Sequence, residues 1–230
     1  MKKFLSLVNK TSLTRLLFIE IVVGLIVNFV VLFSFFFLTH NVLEKETLFY
    51  DKTISNFIYS FRVPILTTVM STITNITDIP AGLILSLLVV LLLFKKHKKE
   101  SLIFSLSLII GCILNYLLKI LFKIPRPNIA PLEVLSDFTY PSGHAMNNLV
   151  LYGLLAFYTF HFTKNKFFSV VVGFLVAIWI LLIGISRIYL GAHYSSDVIG
   201  GYLVGFWWLL TVLLIDKTIS LNKETKNTLK

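Results

Sequence analysis

Apolar residues run in long blocks along this chain, broken by short polar clusters. Crossing the hydrocarbon core of a bilayer takes roughly 20 mostly apolar residues in a helix. Six blocks approach that length: 16–38, 79–94, 101–122, 145–162, 167–185 and 197–215. The second is short, but the partly apolar stretch 63–77 precedes it. The pattern predicts an all-α polytopic membrane protein of six transmembrane helices, forming a single membrane-embedded domain over residues 1–230.

Between the first two blocks, residues 41–62 mix Glu44, Lys45, Glu46, Asp51 and Lys52 with Leu48, Phe49, Ile54, Phe57 and Ile58. Apolar residues there recur at three- and four-residue steps, the pattern of an amphipathic helix lying on the membrane surface. Pro64 suits the first turn of a further helix. Asn75, Asp78 and Pro80 mark a break before the second span. Glu20, Asn28, Asp78 and Asn115 lie in or near spans, where hydrogen bonds between helices are the default role.

Composition supports this class, with 57% hydrophobic residues among 230. The formal charge of +10 is not a nucleic-acid signature, because the lysines sit in short clusters between apolar blocks. Cys112 is the only cysteine, so neither an intramolecular disulfide nor a cysteine-rich metal site is available. Met1-Lys2-Lys3 resembles the start of a signal peptide. The apolar block that follows is too long for a cleaved leader and has no small-residue cleavage site, so it reads as an uncleaved first span.

Charge also sets the orientation. Lys2, Lys3, Lys10 and Arg15 precede the first span; Lys95, Lys96, Lys98 and Lys99 separate the second from the third. Lys164 and Lys166 separate the fourth from the fifth, and Lys217, Lys223, Lys226 and Lys230 follow the sixth. Basic loops stay in the cytoplasm, which places both termini there. The loops between the third and fourth spans and between the fifth and sixth then share the extracytoplasmic side.

Three polar clusters fall on that side: Lys119…Arg126-Pro127, Pro141-Ser142-Gly143-His144, and Ser186-Arg187…His193…Asp197. Charge beside or within a span is costly and is retained mainly for function. Lysine and arginine both bind phosphate oxygens, although snorkelling interface anchors would also explain Lys119 and Arg126 alone. Pro141–His144 opens a helix, whose free N–H groups and partial positive charge make an anion site. An ordinary N-cap would explain that tetrapeptide as well. His193 and Asp197 are four apart, so a helical turn puts them on one face. A carboxylate on one ring nitrogen fixes the tautomer and frees the other nitrogen as base, nucleophile or metal ligand. His144, His193 and Asp197 are donors zinc accepts, but Lys119, Arg126 and Arg187 converging on the same spot would repel a dication.

These clusters resemble, residue for residue, the three-part signature of the type 2 phosphatidic acid phosphatase superfamily: K-x6-RP, PSGH and SR-x5-H-x3-D. The resemblance covers the second half of the chain; the first half agrees only in span count. It implies a membrane enzyme that hydrolyses a lipid phosphate or diphosphate without cofactor or metal. On these positions it implies His193 as nucleophile, Asp197 as its orienting carboxylate and His144 as acid and base. Lys119, Arg126, Ser142, Gly143 and Arg187 would bind the phosphate. Among the substrates of bacterial members, an outward site favours undecaprenyl diphosphate, ahead of phosphatidylglycerol phosphate and phosphatidic acid. The expected partners are the bilayer and the lipid substrate, with no nucleic acid. A transporter's anion pathway would spread its basic residues through the depth of the membrane, whereas here they gather at one end.

Overall fold

The computed structural model describes residues 2–128, 130–133 and 135–228, with side chains described over 19–219 of these. It is all-helical among the described residues. The helices are α1 (Lys2–Leu43), α2 (Leu48–Tyr59), α3 (Pro64–Ile76), α4 (Ile79–Phe94), α5 (Lys98–Phe122), α6 (Gly143–Phe162), α7 (Lys166–Tyr189) and α8 (Ser195–Thr228).

Within α1, α5, α7 and α8, the segments Ile19–Leu43, Lys98–Phe122, Lys166–Tyr189 and Ser195–Ile219 are long and apolar enough to cross a membrane. The helices α3 and α4 together qualify as one broken span, bent by 48°. The bend falls where the sequence predicts a break: the Asp78 carboxylate accepts the Ile79 N–H at 2.8 Å, and Pro80 occupies the first turn of α4. Helix α6 has a span's length but is not among these helices, as it carries Asn147, Asn148 and His161. Several spans run past their sequence limits. In particular, α8 continues through Thr228, where the sequence reading ends its sixth block at 215.

The structure turns α2 in an instructive way. Asp51 and Ser55 are its buried residues, while Phe49, Tyr50 and Phe57 are exposed. Two polar residues thus face the protein and three aromatic ones face outward, while Ile58 packs inward against Ala145, Ile188 and Val198.

Lipid tails are as apolar as leucine, so close packing and interhelical hydrogen bonds hold such a bundle together. A core of Phe104, Val150, Leu151, Leu154, Tyr158, Leu209 and Val212 joins α5, α6 and α8. Asn28 donates to Trp207 O at 3.1 Å and to Thr211 Oγ1 at 2.9 Å, pinning α1 to α8. Trp208 Nε1 donates to Ser107 O at 2.8 Å. A Cβ at Gly201 would lie 2.6 Å from the Ser142 carbonyl oxygen, so only glycine lets α8 approach the start of α6 this closely.

The two ends of the bundle differ. The ion pairs Glu20–Lys217 and Lys99–Asp216 tie α1, α5 and α8 at one end. The three polar clusters lie at the other, where Thr39 of α1 meets the Tyr140 hydroxyl at 2.8 Å.

Candidate active site

Three helix ends and one loop build the site. Helix α5 stops at Lys123, whose left-handed backbone (φ 51°) turns the chain out of the helix. Lys119 is left on the final turn, and Pro125 and Pro127 keep the exit from re-entering a helix. After the loop 123–142, Ser142 caps α6, accepting weakly from the Ala145 N–H at 3.5 Å. Helix α7 ends at Tyr189, and Gly191 at φ +74° makes the turn into His193 and α8.

These ends are locked to one another. The Ser142 N–H donates to Asp197 O at 3.0 Å, joining the start of α6 to the first turn of α8. Asn115 Nδ2 donates to Pro141 O at 3.2 Å. A Cβ on Gly143 would meet Asn115 Oδ1 at 2.9 Å, so this glycine permits a close approach. Asp51 accepts three bonds, from Ser195 Oγ at 2.7 Å, Ser196 N at 2.8 Å and Ser196 Oγ at 2.7 Å. A carboxylate from α2 thus caps α8. Arg62 donates twice to Tyr189 O, at 2.9 and 2.6 Å, and once to Ala130 O at 2.7 Å.

The structure brings the residues singled out in the sequence together. Arg126 Nη1 lies 3.3 Å from His193 Nε2 and donates to Ala192 O at 2.7 Å. Lys119 Nζ donates to Asp137 Oδ2 at 2.6 Å and to Phe138 O at 2.5 Å. Arg187 is 1% exposed; its Nη1 bonds Glu133 Oε2 at 2.7 Å, and its buried Nε has no hydrogen-bond partner. His144 Nε2 is likewise buried without a hydrogen-bond partner, 3.7 Å from Asp78 Oδ1. Two loop carboxylates, Asp137 and Glu133, therefore rest on the three cations.

One expected contact takes a different form. His193 Nδ1 and Asp197 Oδ2 are 3.6 Å apart, beyond hydrogen-bond range. Thr139 Oγ1 bridges them, 2.9 Å from Nδ1 and 2.6 Å from Oδ2. Thr139 precedes Pro141 by two residues, and nothing in the sequence pattern marks it. Asp51 and Arg62 were equally hidden, because each acts on an element far away in the chain.

Electrostatics follow from burial and charge. Burial, and then the charges of Arg126, Arg187 and Lys119, push the His193 imidazole well below the ordinary histidine range, keeping it neutral. Burial alone would raise the Asp137 carboxyl, but hydrogen bonds and charge from Lys119 and Arg126 outweigh it and hold the group at about 2.

Comparison with known proteins places this architecture. Residues 100–220 match the family model described as the PAP2 superfamily. The chain is 31% identical over 176 residues to phosphatidylglycerophosphatase B of Bacillus subtilis, covering 74% of this chain and 84% of that protein. It is also 31% identical over 139 residues to an undecaprenyl-diphosphatase of Sulfolobus acidocaldarius, covering 58% of this chain and 63% of that one. The crystal structure of a transmembrane PAP2-type phosphatidylglycerolphosphate phosphatase from Bacillus subtilis superimposes with a TM-score of 0.79 at 29% identity. It covers 84% of this chain and 96% of that one.

Proposed function

Because this chain belongs to the PAP2 superfamily, as a multi-pass membrane lipid phosphatase, we propose that it cleaves a lipid phosphate or diphosphate through a phosphohistidine on His193. The observation that carries this reading is the convergence of Arg126, Lys119 and Arg187 around the neutral His193 imidazole.

The substrate phosphoryl group displaces Asp137 and Glu133 from these cations. Phosphoryl transfer depends chiefly on positioning and on stabilising charge at the equatorial oxygens, which the three cations, the Ser142 hydroxyl and the Gly143 N–H supply. The lone pair on His193 Nε2 forms a bond to phosphorus as the bond to the leaving oxygen breaks. His144 gives that oxygen its proton. A water then attacks phosphorus and surrenders a proton to His144, and the P–N electron pair returns to Nε2. Each histidine ends as it began.

The active site faces the extracytoplasmic side, with both termini in the cytoplasm and six spans counting α6 and the bent α3–α4 pair. Such a site receives its lipid laterally from the bilayer, and undecaprenyl diphosphate, cleaved to undecaprenyl phosphate and phosphate, is the substrate we favour. A second reading, phosphatidylglycerol phosphate, draws on the long match to phosphatidylglycerophosphatase B. The deciding experiment compares kcat/KM for these two lipids and phosphatidic acid with purified protein, beside His193→Ala. A preference of ten-fold or more for one lipid assigns it. Turnover by His193→Ala would overturn the nucleophile.

A further inference from the structure

We infer that Thr139 is the positioning residue that sets the tautomer of His193, standing between the imidazole and Asp197 where a direct histidine–carboxylate bond was expected. This rests on the reading of His193 as nucleophile, and it adds a residue that the three-part signature does not contain.

Hydrogen-bond inventory specifies both ends of the ring. A hydroxyl has one proton and two lone pairs, an ionised carboxylate only accepts, and a guanidinium only donates. Thr139 Oγ1 is 2.6 Å from Asp197 Oδ2, so its single proton goes to that oxygen. The same oxygen also accepts the Tyr194 N–H at 2.7 Å. With its proton spent, Oγ1 has only lone pairs for His193 Nδ1, 2.9 Å away, and this nitrogen must carry the hydrogen. At the opposite edge, Arg126 Nη1 stands 3.3 Å from Nε2 and has nothing to offer except N–H. Nε2 must therefore present its lone pair. Two independent contacts select one tautomer, the one whose bare nitrogen faces the phosphate cations.

Burial makes the arrangement exacting. Thr139 is 0% exposed, His193 2% and Asp197 1%, so water cannot replace a missing partner. The threonine is itself fixed, since its backbone N–H donates to Ile124 O at 2.9 Å. That bond ties the loop leaving α5 to the residues entering α6. When Nε2 bonds to phosphorus, the ring becomes cationic with Nδ1 still protonated. The chain Nδ1–H···Oγ–H···carboxylate then carries that charge toward Asp197 without moving a proton.

The test compares Thr139→Val, Thr139→Ser and His193→Ala in the full-length protein, and reads the His193 tautomer in wild type by 15N NMR of selectively labelled histidine. Thr139→Val keeps the shape and removes the hydroxyl. It should lower kcat on the order of 100-fold, as loss of an orienting partner does, with KM changed less than about threefold. Thr139→Ser should recover most of the rate, and the wild-type Nδ1 should carry the proton. A Thr139→Val enzyme with normal kcat, beside an inactive His193→Ala, overturns the positioning role alone. So does a serine variant as slow as the valine one, because bulk and not the hydroxyl would then matter. An active His193→Ala overturns the nucleophile reading instead. If Thr139→Val does not fold, the NMR spectrum of wild type decides: a proton on Nε2 refutes the assignment.

Discussion

Asp137 and Arg126 meet edge to edge: Oδ1 of the carboxylate lies 2.5 Å from Nη2 and 3.0 Å from Nε. The other carboxylate oxygen takes Lys119 at 2.6 Å. One planar anion thus occupies two of the cations that we assign to the substrate phosphate. Asp137 is depressed to about 2, so its contribution is present above the ordinary carboxylate range near 4 and is lost only as pH falls through about 2. It remains charged wherever the enzyme works, and every phosphate has to compete with it. Asp137→Asn should therefore tighten product inhibition by inorganic phosphate. The side chain is 56% exposed, so screening keeps the gain modest, about two- to fivefold in Ki. Unchanged or weaker phosphate inhibition would count against a competing carboxylate.

The buried His193 should shape the pH profile. Its pKa lies below the ordinary value near 6.5, so the folded protein resists a proton that the unfolded chain accepts. Stability from this group is full above about 6.5 and declines as pH falls below that. The same shift keeps the nucleophile neutral into mildly acid solution. The limb of kcat/KM that reports His193 in the free enzyme should lie below pH 6.5. A profile from about pH 4 to 8 checks this, and half-loss of kcat/KM above 6.5 on the acid side would contradict it.

Much of this was legible in the chain because it is local. Apolar block length gives the helices, and Pro80 and Ser142 fall where helices break or cap. The three signature clusters carry their chemistry in residue type, and charge alone places them at one end. What could not be read is the cross-chain part. Asp51 and Ser196 are 145 residues apart, so the reach of a carboxylate from α2 to cap α8 leaves no trace in any window. The polar residues of α2 look solvent-facing by period, yet Asp51 and Ser55 point inward because they have partners or neighbours on α7 and α8. Thr139 is silent for the same reason: its value comes from two groups more than fifty positions away.

Removing the Asp51 carboxylate should cost stability before chemistry. Asp51→Ala strands the Ser195 and Ser196 hydroxyls and the Ser196 N–H, all in a buried position. An unpaired buried polar group costs about 1–3 kcal/mol, and water entering the gap would recover part of it. A loss of about 3 kcal/mol overall is expected, read as a lower midpoint in thermal or denaturant unfolding in detergent. Since α8 begins here and carries Asp197, kcat should fall as well, while Asp51→Glu should retain more of both.

Vanadate and chelator together address the cation cluster. Vanadate adopts the five-coordinate geometry of phosphorus in transfer, so it should inhibit competitively. Its affinity should drop for Arg187→Lys, which offers a point charge where a buried fork now stands. Turnover should continue in excess chelator, because Lys119, Arg126 and Arg187 already supply the positive charge that a dication would bring. Activity lost to chelator and restored by a divalent ion would reverse that conclusion.

His144 can be separated from His193 by the leaving group. If His144 protonates the departing oxygen, its loss should matter in proportion to how poorly that oxygen leaves. A lipid alcohol departs as a strongly basic alkoxide unless protonated, whereas p-nitrophenolate departs without help. His144→Ala should therefore slow a lipid monophosphate on the order of 100-fold or more, the usual range for a general acid. The first step with p-nitrophenyl phosphate should suffer far less. His193→Ala should abolish both, since no bond to phosphorus can then form. The position of His144 suits this selective role: its buried Nε2 has no hydrogen-bond partner within the protein and stands 3.7 Å from the Asp78 carboxylate. Equal losses for both substrates in His144→Ala would mean that this histidine holds the phosphate and does not protonate the leaving group.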